Sequence, residues 1–374
     1  MIAWLFFAPV ALATIVFLAE VGLGLIPPRR ILLPPLVGGA AVIMPAHDEA
    51  SIITQAIAPL AGDAFRILVV ADNCTDGTAS AARAAGAEVI ERDDPSRRGK
   101  GYALAFARDY LAADPPEVVI ILDADCRAEP GALEALIAAS RAGRAVQGAY
   151  LMRPQQELGA MVALSGFAFL VKNLLRQRGL ARLGAPAILT GSGMAFPWHI
   201  FAAAPLATAE PVEDVALGIA LSRTGHPPMF LGEAVVWTEA VSRSATLEQR
   251  SRWERGFLAT GWAEAPSLIA SCRPSLMWLG LHQIVPPLAL LATAHLGLLA
   301  AMLASPVARE ALAAEIFLLA ALFTVLGLAW ALYGQAWLRW QTILAIPAYM
   351  IWKLPIYAAS VLRKDRAWNR TRRD

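Results

Sequence analysis

VVIILDAD, residues Val118 to Asp125, joins an uninterrupted apolar run to two aspartates. The apolar run predicts a β-strand that is covered on both faces. Side chains alternate along a strand, so Asp123 and Asp125 would point the same way if the strand continued through them. Two carboxylates on one side repel each other unless a cation lies between them. The alternative is a plain turn after the strand, where Asp is common.

Strands and helices alternate around this stretch. Apolar runs predict strands at Ala40–Pro45, Arg66–Ala71, Glu88–Glu91, Glu117–Leu122 and Ala145–Tyr150. The intervening segments predict helices at Ser51–Leu60, Thr78–Ala85, Gly101–Ala113 and Gly131–Ala142. This order predicts an α/β fold whose mostly parallel sheet has helices on both faces. In such sheets a ligand binds beyond the carboxyl ends of the strands.

Charged residues occur at that edge of the predicted sheet. They are Asp48 and Glu49 after the first strand, Asp72 after the second, Arg98 and Lys100 before a helix, and the Asp123/Asp125 couple. The sequence contains no G-x-x-x-x-G-K-[ST] motif, and no G-x-G-x-x-G opens the first helix, so the usual phosphate-binding loops are missing. Hard divalent cations bind through one or two carboxylates plus substrate phosphates. We therefore expect Asp123 and Asp125 to hold a divalent metal, and the metal to hold a diphosphate.

These motifs resemble those of the family-2 glycosyltransferases, which have a GT-A fold and use nucleotide sugars. PAHDEA, residues 45–50, is similar to their first-strand motif, and Asp123-Ala124-Asp125 to their D-x-D. VEDVALG, residues 212–218, is similar to the segment that carries the catalytic base. EQRSRWERG, residues 248–256, contains the Q-x-x-R-W signature of membrane-bound members such as cellulose, hyaluronan and chitin synthases and ceramide glucosyltransferases.

The resemblance implies roles for individual residues. Asp214 would be the catalytic base of an inverting transfer, with Glu213 pointing elsewhere and positioning Asp214 or the acceptor, and Arg252 stabilising the leaving diphosphate. The donor, by family default a UDP-sugar, would contact Pro45, His47, Glu49, Asp72, Lys100, Asp123 and Asp125. The acceptor would contact Gly191, Ser192, Gly193, Gln249 and Trp253. The metal, Mg²⁺ or Mn²⁺, would be bound by Asp125 with help from Asp123.

Three of these assignments have simpler alternatives. Arg252 on a membrane-surface helix would also neutralise anionic lipid. Trp253 would also serve as an interfacial anchor. His47 is as readily explained as a loop histidine whose hydrogen bonds are satisfied.

Composition limits the class of protein. Of 374 residues, 57% are hydrophobic and 17% charged, more apolar than an average soluble domain. The net charge of +2 is too small to indicate nucleic-acid binding. Three cysteines without metal-type spacing fit a reducing cytoplasmic setting.

The apolar excess lies at the two ends of the chain. Ile2 to Ala19 carries no charge and is long enough to span a bilayer, and no basic residue precedes it as in a signal peptide. Glu20 is expected at the interface, and Arg29 and Arg30 favour a cytoplasmic location for the domain after them. Pro274 to Ala308, Ile316 to Leu338 and Gln341 to Leu362 are further apolar segments. If all three segments span the membrane, the basic tail lies outside, whereas basic residues favour the cytoplasmic side. Either the last segment is re-entrant or interfacial, or residues 274–308 hold an interfacial piece and one span.

Five segments are expected along the chain. Residues 1–26 form a transmembrane helix, 38–240 the GT-A domain, 241–272 an amphipathic interfacial helix, 273–362 transmembrane or re-entrant helices, and 363–374 a basic cytoplasmic tail. The expected partners are a nucleotide sugar, a lipid or glycan acceptor and the lipid bilayer, without nucleic acid; protein partners are not indicated. The expected location is the inner (plasma) membrane.

Three functions remain open from the sequence. The favoured one is addition of a sugar to a lipid-linked or glycan acceptor at the cytoplasmic face of the membrane. The second is a processive synthase that extends and exports a β-linked polymer. One helix before the domain and two or three after it favour single addition. A polymer exporter needs a polar channel lined by helices, and a monomer with so few helices has few to line it. The third is a catalytically inactive nucleotide-binding membrane protein.

Overall fold

An eight-stranded mixed sheet forms the centre of the chain. The structure is a computed structural model that describes residues 2–28, 39–60, 65–208, 210, 212–239, 243–304 and 309–362. The strands are β1 Ala40–Ala46, β2 Phe65–Asp72, β3 Glu88–Arg92, β4 Val118–Ile121, β5 Cys126–Ala128, β6 Val146–Met152, β7 Met194–Pro197 and β8 Met229–Thr238. Their order across the sheet is β3-β2-β1-β4-β7-β6-β8-β5. All five predicted strands are present within one or two residues of their expected bounds.

The sheet has a parallel half and a mixed half. β3, β2, β1 and β4 pair in parallel. β7 is antiparallel to both β4 and β6, and β5 is antiparallel to β8, whereas β6 and β8 are parallel. The sequence pattern indicated neither β7 nor β8, so it did not predict this antiparallel insertion. β7 follows the loop Thr190–Gly193 directly and brings that loop to the end of β4.

The parallel half is buried on both faces, as the continuous apolar runs predict. Val42 and Met44 of β1 belong to one buried cluster, and Ala41 and Ile43 to another on the opposite face. All four side chains are fully buried. This alternation follows from the two-residue period of a strand.

Helices cover both faces of the sheet and continue beyond it. They are α1 Ile2–Gly24, α2 Ile53–Ile57, α3 Thr78–Ala84, α4 Lys100–Leu111, α5 Ala132–Ser140, α6 Ala160–Leu170, α7 Gln177–Arg182, α8 Trp198–Ala203, α9 Glu213–Arg223, α10 Arg243–Ile269, α11 Pro274–Ile284, α12 Leu288–Leu303, α13 Arg309–Ala329 and α14 Ile346–Leu362. A π-helix, Val171–Arg176, joins α6 to α7, so that residues 160–182 form one nearly continuous helix. We call residues 160–182 the central helix.

Glu20, near the end of α1, lies inside the protein. Its side chain is fully buried and accepts hydrogen bonds from Arg176 Nε at 2.5 Å and from His282 Nδ1 at 2.9 Å. The sequence could not reveal this, because Arg176 lies 156 positions away. A buried carboxylate needs such partners, and here they join α1 to the central helix and to α11.

Two helices are long and apolar enough to cross a membrane. They are Phe6–Gly24 and Arg309–Gly334, and the bent pair formed by α11 and α12 could supply a third span. α11 and α12 meet at 68°. α14 contains Pro355 and does not belong to these candidates. The flanking arginines Arg29 and Arg30 and the basic tail lie outside the described residues.

Candidate functional site

The acidic couple lies in a turn just after β4. The strand ends at Ile121, and the backbone N–H of Cys126 donates to the carbonyl of Asp123 at 2.9 Å. The turn, not strand alternation, therefore brings the two carboxylates together. Ligand atoms of Asp123, Asp125 and Cys126 lie within 4.8 Å of one another. Two carboxylates in this arrangement suit a hard divalent cation.

Lys100 connects the acidic turn to the neighbouring loop. It stands at the start of α4, where its Nζ contacts the carboxylate of Asp123 and donates to the carbonyl of Gly191 at 2.6 Å. Burial alone would lower the pKa of Lys100, but the surrounding carboxylates, led by Asp123, outweigh it and raise the pKa to about 12. A permanent positive charge thus faces Asp123, which leaves Asp125 as the carboxylate better placed for a metal.

The loop Thr190–Gly193 is held in place by Gln147, a residue that sequence reasoning missed. The buried Gln147 donates to the carbonyl of Ser192 at 3.0 Å and accepts from the N–H of Thr190 at 2.9 Å. Ser192 Oγ in turn accepts from the N–H of Asp123 at 3.1 Å. A glutamine inside an otherwise apolar strand was the available signal, because a buried amide needs hydrogen-bond partners.

Asp214 approaches the same loop from the first turn of α9. Gly191 has φ of +86°, and a Cβ there would lie 3.3 Å from Asp214 Oδ2 and 3.5 Å from Lys100 Nζ. The positive φ favours glycine here, and a side chain would also make a tight contact with Asp214. Four of the predicted residues, Lys100, Asp123, Gly191 and Asp214, thus meet at one point.

Glu213 remains close to Asp214 instead of pointing elsewhere. Both residues line one small cavity against α4, with Leu104, Leu206 and Leu217 on its walls. Burial raises the pKa of Glu213 to about 8, and the charge of Asp214 contributes. Burial also raises the pKa of Asp214, while Lys100 and Lys172 oppose the rise. Near neutral pH, Glu213 therefore tends to hold a proton.

The ends of β1 and β2 form a second group of predicted residues. His47 Nδ1 lies 2.7 Å from the carbonyl oxygen of Asp72. The buried Asp72 carboxylate pairs with Arg92 at 2.6 Å, a partner that the sequence did not indicate. Glu49 supports the start of α2 through its backbone carbonyl, and its N–H donates to Thr78 Oγ1 at 2.7 Å. Pro45 lies within β1 opposite Val70.

The Q-x-x-R-W segment lies on α10. Trp253 stacks on Phe169 with ring centroids 5.9 Å apart, and Phe169 meets the edge of Tyr150 at 5.5 Å. Tyr150 Oη is 3.8 Å from Cys126 Sγ, next to the acidic turn. Trp253 thus reaches the metal-binding candidates through two rings. The side chains of Gln249 and Arg252 lie outside the described residues.

Comparison with known proteins identifies the central part of the chain. Residues 41–196, which contain β1 to β7 and the acidic turn, match the family model described as Glycosyl transferase family 2. This part of the chain is thus similar to a glycosyltransferase family 2 domain. Residues 212–218 and α10 lie beyond the matched residues.

Relatives of the glycosyltransferase domain occur in mycobacteria. The uncharacterized glycosyltransferases Rv0539 of Mycobacterium tuberculosis and Mb0553 of Mycobacterium bovis are each 34% identical to this chain over 97 residues, or 26% of its length. The aligned part spans 41% of the length of these relatives.

Solved structures share the fold. The mannosyltransferase PcManGT from Pyrobaculum calidifontis, solved with GDP-Man and Mn²⁺, superposes with a TM-score of 0.62 at 19% identity, covering 97% of this chain and 99% of its own. The likeness shows a common GT-A-like fold over nearly the whole length. The glucosyl-3-phosphoglycerate synthase from Mycobacterium tuberculosis, solved with Mn²⁺, UDP and phosphoglyceric acid, is 24% identical, with a TM-score of 0.40 over 59% of this chain and 78% of its own.

Proposed function

We propose that the protein transfers a sugar from a nucleotide sugar to a hydroxyl of a lipid-linked or glycan acceptor, with inversion, at the cytoplasmic face of a membrane. The observation that carries the proposal is the meeting of Lys100, Asp123 and Asp214 around Gly191. This arrangement supports the proposal because it would bring a diphosphate-binding couple and a base candidate to one loop. The family 2 domain supports the reaction class.

The chemistry requires a base and a stabilised leaving group. An acceptor hydroxyl has a pKa far above neutrality, so Asp214 would take its proton as the oxygen attacks the sugar's anomeric carbon. The new C–O bond forms as the bond to the diphosphate breaks, and the leaving nucleoside diphosphate keeps the electron pair. Arg252, from α10, is proposed as a cation for this leaving group because guanidinium matches phosphate geometry.

A divalent metal fits the acidic turn. Carboxylate oxygens of Asp125 and Asp123 would hold it, and it would neutralise charge on the diphosphate. PcManGT was solved with Mn²⁺, which supports the same cation here. Lys100 would keep Asp123 ionised and in position, and His47, Glu49 and Asp72 would contact the nucleotide.

The membrane setting and single addition are parts of the same proposal. Two helices of the described chain can span a bilayer, or three with the bent pair. So few spans support addition of one sugar over export of a polymer. α10 and α14 would then lie at the interface, with Gln249 and Trp253 facing the acceptor.

A donor screen tests the proposal. The purified full chain in nanodiscs is given a bacterial lipid extract and a panel that includes UDP- and GDP-sugars, and release of nucleoside diphosphate is measured with and without EDTA. We expect one donor class to be turned over and EDTA to abolish turnover, with Mn²⁺ or Mg²⁺ restoring it. A ladder of long products would contradict single addition.

Asp214→Asn separates catalysis from binding. Loss of a general base lowers the rate by about 10²- to 10⁴-fold, whereas donor binding should persist. The matched control is Asp109→Asn, because Asp109 is exposed and pairs only with the adjacent Arg108 among the contacts described. Full activity in Asp214→Asn would refute the assignment of the base.

A further inference from the structure

Two adjacent buried side chains of α11, His282 and Gln283, have polar atoms without a hydrogen-bond partner in the described part of the chain. His282 is 1% exposed and Gln283 is fully buried. Within the described chain, His282 Nε2 and both Gln283 Nε2 and Gln283 Oε1 lack a partner. Buried polar atoms are nearly always paired, and an unpaired one costs about 1–3 kcal/mol. Three such atoms in consecutive residues point to something polar that binds there.

These atoms face one side of α10. Trp253, Phe257 and Gly261 follow at intervals of four and therefore share a face of that helix. The Phe257 and His282 rings are 6.0 Å apart, and a Cβ on Gly261 would lie 3.1 Å from Gln283 Oε1. Gly261 thus allows α10 and α11 to approach each other closely beside the unpaired amide.

A lysine contacts the Phe257 ring on this face of α10, and the charge of that lysine acts on the proposed base. Lys172, in the π-helix of the central helix, places Nζ 4.5 Å from the centre of the Phe257 ring. Its charge also acts on Asp214. We call Asp214, Lys172, Phe257 and Gln283 the row. It ends at α11, which is the first half of the bent pair that can enter the membrane.

We propose that this row binds a phosphorylated polyol, with the phosphate toward Lys172 and hydroxyl groups at Gln283 and His282. The class follows from the donor and acceptor set. The Gln283 amide offers both a donor and an acceptor, which a hydroxyl satisfies, and a lysine ammonium attracts phosphate. Asp214 at the other end of the row makes this ligand the acceptor of the proposed transfer, so this inference rests on the proposed function. A lipid head group and a free phosphorylated polyol share this chemistry.

Binding is measured without nucleotide sugar, so that failure of the transfer reaction cannot affect the result. The full chain in detergent is heated with four probes: dihexanoyl phosphatidylglycerol, dihexanoyl phosphatidylcholine, dihexanoylglycerol and glycerol 1-phosphate. A ligand of the native state raises Tm with concentration. We expect a saturable rise with phosphatidylglycerol and none with phosphatidylcholine or dihexanoylglycerol. An equal rise with glycerol 1-phosphate would support the site and identify the free compound as its ligand.

The substitution Gln283→Met tests whether the ligand binds at this position. Methionine matches the length of glutamine without polar atoms, so it should remove the unpaired groups, raise Tm without ligand, and raise the apparent Kd for phosphatidylglycerol about 10-fold or more. The matched control is Gln177→Met, because the buried Gln177 has both ends paired with Ile188 and should lose stability without losing the ligand response. Lys172→Met should abolish the preference for phosphatidylglycerol. An unchanged ligand response in Gln283→Met, or equal responses to phosphatidylglycerol and phosphatidylcholine, would overturn the proposal.

Discussion

At the scale of the residue, one lysine counters three carboxylates. Lys100 contacts Asp123 directly, and the charges of Glu213 and Asp214 also act on it. Four charges would leave the group two units negative, which opposes the approach of a diphosphate. The raised pKa of Glu213 removes one of these negative charges at neutral pH.

Donor affinity should therefore depend on pH. Because the pKa of Glu213 is raised to about 8, Glu213 is neutral below that pH and charged above it. The added negative charge should raise the KM for the nucleotide sugar above pH 8, by about 3- to 10-fold at an effective dielectric typical of such sites. In Glu213→Gln the KM should stay flat across this range, as measured from initial rates between pH 6 and 9.

The control for this profile is Glu157→Gln, which changes an exposed glutamate on the short helix Gln156–Leu158. It should keep the wild-type profile. A rise of KM that persists in Glu213→Gln would assign the pH dependence to another group.

At the scale of the element, the loop Thr190–Gly193 lies between the acidic turn and Asp214 and contacts both. Lys100 and Asp214 reach it from different helices, and Gln147 fixes it from β6. Its shape therefore determines the spacing between the base candidate and the acidic turn.

Gly191→Ala should damage transfer more than stability. The new methyl group would lie 3.3 Å from Asp214 Oδ2 and strain a backbone with φ of +86°. We expect kcat to fall about 10-fold or more, because small displacements of catalytic groups have large effects. Gly184→Ala is the matched control, since Gly184 has φ of +71° and nothing within 4 Å of its Cβ position.

Both substitutions should cost about 1–2 kcal/mol in backbone strain. Thermal unfolding and kcat, measured on the same preparations, separate the two effects. If kcat falls equally in both variants, the loop has no special part in the reaction.

α14 is fixed to α10 by a buried ion pair. Lys353 Nζ lies 2.7 Å from Glu254 Oε1, next to Trp253, and Trp352 and Tyr349 approach the ammonium at 5.3 and 5.7 Å. The side chain of Lys353 is 1% exposed and that of Glu254 is 24% exposed. The two partners therefore differ in how well water can replace a lost contact.

The substitutions at this pair should differ in severity. Glu254→Gln removes a carboxylate that contacts a fully buried ammonium and should lower Tm more than Lys353→Met does, because weakening the pairing of a buried charge is strongly destabilising. The double variant should recover part of the loss. Thermal unfolding in detergent gives the order, and equal Tm values for all three variants would show that the pair does not fix α14.

Local patterns explain which elements the sequence could predict. β1, β2 and β4 are apolar runs bounded by turn residues, so the parallel half and the acidic turn were within reach of sequence reasoning. β7 and β8 were not, because their pairing depends on partners far along the chain: Ile121 faces Met194, and Val146 faces Met229. The contacts of Gln147 and Arg92 likewise arise only when distant loops meet.

At the scale of the whole molecule, two buried polar clusters fasten α1 to the rest of the chain. In the first, Glu20 bonds Arg176 and His282. In the second, Thr14 Oγ1 lies 2.7 Å from His295 Nε2, and His295 Nδ1 lies 2.7 Å from Glu315. All of these side chains are at most 4% exposed. The first helix is therefore joined to the glycosyltransferase domain and to α11, α12 and α13 by specific contacts.

Removing the charge of Glu20 should lower the stability of the folded chain. Glu20→Gln leaves the Arg176 guanidinium buried without its carboxylate, a change that costs about 3–5 kcal/mol in comparable buried pairs. We expect a lower Tm and faster proteolysis, measured on the full chain in detergent. Glu310→Gln, an exposed glutamate at the start of α13, should change neither, and an unaltered Tm in Glu20→Gln would mean that the cluster does not hold α1.

The π-helix Val171–Arg176 sets the phase of the central helix. Its wider turn accommodates one residue more than an α-helical turn would, and each residue of an α-helix advances the rotation by about 100°. The extra residue is absorbed in the wide turn, so Gln177–Arg182 keeps the orientation in which Gln177 reaches Ile188 and Arg178 lies over the Tyr333 ring 5.3 Å away. Loss of one of these six residues should therefore give a regular α-helix that keeps both contacts, whereas loss of one residue from α6 should turn the segment after it by about 100°.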